Sequence, residues 1–212
     1  RAVQRTYSAE SIDAITLSPS QRSQATIALV DTILQSVRNQ RDDFTLPPFA
    51  ETWLNLYTDL ARGQLVANED EIGQVRQSFQ AHIRELTELL ANRAKTQNGN
   101  NLDTFLLTSA LAFAHYELGF FESNHGNHGD AIDSFNRSLP LYRRLGFEIN
   151  QARSLNDKGY SLAVVGNAQR AETSVHDALT LRKQLGFSYP IGLSYNTLAI
   201  VHTMAERPAS AL

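Results

Sequence analysis

The sequence has no cysteine among its 212 residues. Disulfide frameworks, cysteine-ligated zinc, thiol nucleophiles and iron–sulfur clusters are therefore excluded, and the composition fits a reducing compartment. A long apolar run is also missing. The longest, residues 110–121, is interrupted by His115 and Glu117 and is far too short to cross a bilayer. We therefore expect a cytoplasmic protein without a membrane span.

Neither sign of charge dominates, because 19 basic side chains stand against 22 acidic ones and the formal net charge is -3. A protein that binds nucleic acid backbones needs a basic face to displace counterions, so direct nucleic-acid binding is not expected. The chain begins at Arg1 rather than at a methionine, and no apolar secretion signal follows. We therefore expect a piece of a longer protein.

Sequence motifs of catalysis are absent too. There is no phosphate loop of the GxxxxGK[ST] type, no GxSxG and no HExxH, so we predict neither an enzyme nor a bound cofactor. One cluster has the residue types of a zinc site. It consists of Glu122, His125, His128 and Asp130, with His115 upstream. Because two of these histidines fall in a predicted turn, which seldom supplies convergent ligands unaided, exposed turn histidines are favoured over a metal site.

The sequence does contain an internal repeat with a period of 40 residues, and segments 112–151 and 152–191 are identical at eleven of forty positions. A third, truncated copy begins near Gly192 and occupies 192–212. The second copy predicts a helix over 152–165 that ends at Gly166, then a helix with Asn167 as its N-cap that ends at Gly186. Small residues mark the predicted close approach of the two helices. They are Gly119, Gly159 and Ala199 on the first helices, and Ala131, Ala171 and Ala211 on the second.

The first half of the chain predicts helices without a clear repeat. Residues 1–20 form a polar lead-in, and residues 21–95 form an N-terminal helical segment with apolar stripes over 22–40, over 53–60 up to Gly63, and over 69–93. Residues 95–101 are the best candidate for a linker. Residues 47–95 do not align with the 40-residue unit. A degenerate repeat pair is favoured over a separate cap, because the end of a solenoid needs cover.

The small-residue positions, the helix-turn-helix length and the alanine that opens the second helix resemble tetratricopeptide repeats (TPRs) over about half the chain. The period is 40 rather than the usual 34 or so. The stretches 152–156, 166–167, 171–172 and 185–187 are more similar to the longer repeats of kinesin light chains and bacterial signal-transducing regulators. The resemblance implies an all-α, right-handed α-solenoid of TPR-like repeats over 102–212, following the helical N-terminal segment. Pro208 fits the first position of the last helix.

The resemblance also implies a working surface, because the first helices of TPRs line a concave groove. The predicted groove residues are Phe113, Tyr116, Phe120, Arg153, Asn156, Tyr160, Leu193, Asn196 and Ile200. Asn156 and Asn196 match the family's groove asparagine, which implies hydrogen bonds to the backbone of an extended peptide. The alternative is that these two amides only brace adjacent helices.

The predicted function is a scaffold that binds a protein or peptide segment, in the sensor or interaction part of a larger, bacterial-type regulatory protein. Two alternatives stay open. One is a structural module that self-associates through the solenoid ends, and the other is a non-catalytic part of a multidomain enzyme. The basic pairs 143–144 and 182–183 lie near the ends of second helices, where cations favour the negative helix terminus, and this role is favoured over an acidic-partner site.

Overall fold

A computed structural model of the protein describes residues 48–66, 68–95, 101–186 and 188–206, together with residues 24, 27, 28 and 35. The predicted lead-in over 1–20, most of the predicted helix over 22–40, most of the predicted linker, Pro208 and Ala211 lie outside these residues. The described part of the chain is helical and contains no strand, which confirms the all-α prediction. Within it, none of the helices combines the length and apolarity that crossing a membrane requires.

Seven helices are present in the described part. They are α1 (Pro48–Gly63), α2 (Glu69–Lys95), α3 (Asn101–Asn124), α4 (His128–Leu145), α5 (Glu148–Val164), α6 (Ala168–Leu185) and α7 (Ser188–Ala205). The predicted helices on both sides of Gly166 and over 69–93 are confirmed. The first helix of the third copy, α7, begins at Ser188, four residues before the predicted copy boundary, as α5 begins at Glu148, four residues before residue 152. Pro190 is accommodated because it lies in the first turn of α7, where a backbone N–H has no intrahelical partner.

The helices pack on one another in chain order, from α1 on α2 through to α6 on α7. The backbones of the odd-numbered helices α1, α3, α5 and α7 also come close to each next odd-numbered helix, whereas the backbones of α2, α4 and α6 lie further from one another. Helices on the inside of a curved stack come close together, and those on the outside spread apart. We therefore call α1, α3, α5 and α7 the inner layer and α2, α4 and α6 the outer layer.

Four of the turns between these helices contain a glycine in the left-handed region. The φ angles are +80° at Gly126, +71° at Gly146, +80° at Gly166 and +75° at Gly186. A side chain at such a position would be strained, so glycine is the residue that ends these helices cleanly. The predicted stops at Gly166 and Gly186 are confirmed.

Asn167, the residue after Gly166, was predicted to be the N-cap of the next helix. It lies at the N-cap position of α6, which confirms the prediction, although its side chain makes no capping hydrogen bond. The backbone of Asn167 serves both helices instead. Its N–H donates to the carbonyl oxygen of Leu162 at 2.8 Å, and its own carbonyl oxygen accepts from the N–H of Ala171 at 2.9 Å.

Small residues bring the two helices of each pair together, as the repeat predicted. A Cβ atom on Gly119 would lie 3.1 Å from the carbonyl oxygen of Ala131, and one on Gly159 would lie 3.1 Å from that of Ala171. Both alanines are fully buried. Ala199, the corresponding residue of α7, is exposed among the described residues.

The largest hydrophobic core lies between α1, α2 and α3. The apolar stripe of α2 contributes Val75, Phe79 and Leu86, all buried, as its spacing predicted. One face of α3 contributes Leu107, Leu111, Ala114 and Leu118 to this core, while Ala112 and Tyr116 on another face pack in a second core with α4. α3 is covered by α1 and α2 on one side and by α4 and α5 on the other. Polar groups on this helix are therefore enclosed, which sets the chemistry of the site described next.

Candidate binding site in the inner layer

A cavity of about 260 Å³ opens where α1 and α3 meet in the inner layer, with α5 at its edge. Its walls include Tyr57 of α1, Phe113, Glu117 and Phe120 of α3, His125 of the following turn, and Arg153 of α5. Three of the predicted groove residues, Phe113, Phe120 and Arg153, therefore line one cavity.

The spacing along α3 explains why three of the wall residues share one side of that helix. Glu117 follows Phe113 by four residues and precedes Phe120 by three, so the three side chains lie one above another. Tyr57 completes this wall from the neighbouring inner-layer helix, and its ring centroid lies 5.4 Å from that of Phe113. The result is an aromatic wall with one carboxylate in the middle.

Tyr116 lies beside this wall rather than in it. Its side chain is only 2% exposed, and its ring stacks on that of Phe120 with centroids 6.4 Å apart. The guanidinium carbon of Arg153 lies 4.7 Å from the centroid of the Tyr116 ring. The Tyr116 hydroxyl donates to Oδ2 of Asp157 at 2.6 Å. Tyr116 thereby holds Arg153 and α5 at the edge of the cavity.

Glu117 is the most unusual group of the site, because its carboxylate is enclosed and unpaired. The residue is 4% exposed. The pKa of Glu117 is raised to about 7. Burial is the largest cause, the positive charge of Arg153 opposes it, and the negative charge of Asp157 adds to it. Among the described residues, no hydrogen bond or ion pair to this carboxylate is found. Near neutral pH, Glu117 can release a proton or pair with a cation that enters the cavity.

Two hydrogen bonds with the same register join successive inner-layer helices. The Tyr116 hydroxyl bonds Asp157, and Nδ2 of Asn156 donates to Oγ1 of Thr197 at 3.1 Å; both pairs are 41 residues apart. Asn156 is 7% exposed, and its Oδ1 also accepts from Nη1 of Arg182 at 3.2 Å. The amide of Asn156 therefore joins neighbouring helices, as the bracing alternative expects. Contact between Asn156 and a peptide stays a prediction.

The other predicted groove residues lie further along the inner layer and do not line the cavity. Asn196 is exposed, and Leu193 is 40% exposed. Tyr160 and Ile200 are partly buried, and the ring of Tyr160 packs edge-on against that of His128 with centroids 5.9 Å apart. These residues offer separate contact points beyond the cavity.

In the candidate zinc cluster, Glu122, His125 and His128 each have a different partner. Glu122 is 2% exposed and accepts from Nε and Nη2 of Arg76 at 2.5 and 3.0 Å. Nδ1 of His125 lies 2.8 Å from the carbonyl oxygen of Phe121, and Nδ1 of His128 lies 3.4 Å from Oγ of Ser123. Where the chain is described, no group of three or more histidine, aspartate or glutamate side chains is arranged to hold a metal ion.

The expectation of exposed turn histidines needs correction. His125 and His128 are partly buried, because they pack on neighbouring rings. His115 lies on the opposite face of α3 from Phe113 and is 8% exposed. Burial and, to a lesser extent, the charge of Arg137 together lower the pKa of His115 to about 4, so this imidazole is neutral at pH 7.

The basic pairs at the ends of the outer helices differ in environment. Arg143 and Arg144 are exposed in the last turn of α4, where the sequence placed them, and their role at the helix terminus stays a prediction. Arg182 is only 6% exposed, and its Nη1 donates to Oγ of Ser194 and to the carbonyl oxygen of Pro190, both at 2.8 Å. Arg182 therefore ties α6 to α7, a role that its position near a helix end did not indicate.

Sequence reasoning missed two main groups of the cavity. Glu117 had a visible signal, because it interrupts the longest apolar run of the chain, where a charge has to be enclosed. Tyr57 had none, because it lies outside the alignable repeats. A scan of known protein families found no model that matches the chain, and a search of curated proteins found no significant match.

Proposed function

We propose that the protein is a binding scaffold of TPR-like repeats, wound as a right-handed superhelix, which holds a peptide or protein segment against its inner layer. The observation that carries this proposal is the aromatic cavity with an enclosed, unpaired carboxylate at the junction of α1, α3 and α5. The cavity lies on the inner layer, which is the surface that the repeat pattern predicts to bind a ligand. A concave site with a few convergent polar groups and a perturbed pKa is the usual form of a binding site.

The size and position of the cavity favour a chain segment over a small cofactor. At about 260 Å³ the cavity is slightly smaller than typical small-molecule sites, which begin near 300 Å³. It can therefore hold one side chain of a longer ligand. Beyond it, the exposed Asn196 and Leu193 offer further contacts along the inner layer. We propose that such a module acts in the cytoplasm as the non-catalytic interaction part of a regulatory protein.

The test is a selection of random peptides displayed on phage, followed by titration of the enriched peptides. Phe120→Ala removes an aromatic wall of the cavity and is expected to weaken binding about tenfold or more. Ile149→Ala is the matched control, because Ile149 is 56% exposed on α5 and does not line the cavity.

Equal affinity of wild type and Phe120→Ala, or failure to enrich any peptide, would contradict the proposal. Light scattering over the same protein concentrations separates peptide binding from self-association, the structural alternative.

A further inference from the structure

The cavity lining holds one acidic and one basic side chain, Glu117 and Arg153. Beyond the lining, Asp157 acts on both of them and is itself faced by Arg182, so these four charges balance. The two lining groups differ in exposure. Arg153 is exposed, and its guanidinium rests on the ring of Tyr116 without reaching ion-pair distance from Glu117, whereas Glu117 is 4% exposed.

An enclosed carboxylate without a partner costs free energy, and a cation beside it offsets that cost. Water is largely excluded from Glu117, which is 4% exposed, so the attraction to an entering cation is screened less than at the surface. A ligand carboxylate would face Glu117, and an apolar group would leave Glu117 unpaired. The nearly buried carboxylate in the cavity wall therefore favours a cationic occupant.

The aromatic side chains around Glu117 suit a cation on an apolar stem. Tyr57 and Phe113 have ring centroids 5.4 Å apart, and Phe120 lies on the other side of Glu117 along α3. Aromatic faces attract lysine and arginine head groups, and methylene stems pack well against rings. One such side chain suits a cavity of about 260 Å³.

Resting on the proposed function, we infer that this cavity takes a lysine or arginine side chain of the bound segment, with Glu117 as its counter-ion and Tyr57, Phe113 and Phe120 around its stem. The partner is therefore a segment with a basic anchor residue.

The test uses the peptides enriched by phage display, synthesised with the basic residue or with norleucine in its place. Wild type is expected to bind the norleucine peptide at least about tenfold more weakly, which is the lower end of the range for close charge pairs across an interface. Glu117→Gln keeps the shape of the side chain and is expected to bind both peptides equally. Glu148→Gln, at an exposed acid of α5 outside the cavity, is the matched control and should behave as wild type.

A second measurement needs only the wild-type protein. A peptide with a photoreactive lysine at the anchor position is expected to cross-link to residues 113–120 of α3 or to Tyr57. Cross-links confined to other helices would overturn the inference even if Glu117→Gln did not fold.

The outcomes also separate the two proposals. If enriched peptides share no basic residue, or if norleucine costs the same on Glu117→Gln as on wild type, while Phe120→Ala still weakens binding, the inference falls and the proposed function stands. If no peptide is enriched, both fall.

Discussion

Glu117 holds its proton at a pH where an ordinary glutamate has lost it. Burial, opposed by Arg153 and reinforced by Asp157, raises its pKa from 4.5 to about 7. As the pH rises, the unfolded chain loses this proton at a lower pH than the folded chain does, so ionisation of Glu117 lowers the free energy of unfolding. This loss of stability is absent below about pH 4.5, grows up to about pH 7 and is complete above it.

This titration predicts a pH-dependent difference between wild type and Glu117→Gln. From pH 5 to pH 8, the free energy of unfolding of the variant should gain about 2 to 3 kcal/mol relative to wild type. Urea denaturation at the two pH values measures the gain. Glu148→Gln, at an exposed position, should show no such change, and a constant difference for Glu117→Gln would mean that its carboxylate is not enclosed.

The two groove asparagines should respond differently to truncation. Asn156 is buried and bonded to Arg182 and Thr197, so Asn156→Ala should lower the free energy of unfolding by about 1 to 3 kcal/mol. Asn196 is exposed, and Asn196→Ala should change it by no more than about 0.5 kcal/mol. Chemical denaturation compares the stability of the two variants, and equal effects would show that Asn156 does not brace the inner layer. Because Asn196→Ala should leave the fold intact, it is the better variant for testing contact with a peptide.

The helix pairs depend on glycines that allow close approach. A Cβ atom on Gly159 would meet the side chain of Val175 as well as the carbonyl oxygen of Ala171. Gly159→Ala is therefore expected to destabilise the protein by about 1 to 3 kcal/mol through overpacking. Gly73 of α2 has no atom within 4 Å of its ideal Cβ position, so Gly73→Ala should instead stabilise by about 0.5 to 1 kcal/mol. Thermal denaturation shows whether each variant is more or less stable than wild type. A stabilising effect of Gly159→Ala would contradict the close packing of α5 on α6.

The helix pairs of the second half were predictable because local geometry fixes their residues. The positive φ at Gly166 and the close helix approach at Gly159 both require glycine. Each requirement recurs forty residues away, at Gly126 and Gly119, so the repeat is visible in the sequence. The cavity was predictable only in part. Phe113 and Phe120 follow from the groove pattern, but Tyr57 comes from a helix outside the alignable repeats. Burial of Arg182 was not predictable either, because its partners lie on α5 and α7, the helices before and after its own.

Among the seven helices α1 to α7 that the structure describes, backbone contacts are mainly between helices close in sequence, and none joins α1 or α2 to α5, α6 or α7. In such a stack, a local weakening stays largely local. Gly159→Ala is therefore expected to reduce amide protection in α5, α6 and α7 more than in α1 and α2. Hydrogen exchange followed by mass spectrometry in dilute urea measures this. An equal loss in every helix would indicate one cooperative bundle instead of a stack.

The even spacing of the turn glycines has a consequence for how the chain can grow. Gly126, Gly146, Gly166 and Gly186 follow one another at intervals of twenty residues, and α4 and α6 start in the same way after Asn127 and Asn167. A tandem duplication of residues 128–167 would create one new junction, Asn167 to His128, where a Gly-Asn pair again precedes an outer helix. Lengthening by forty residues at a time requires no new turn, so gene duplication offers this protein a simple route to a longer binding surface.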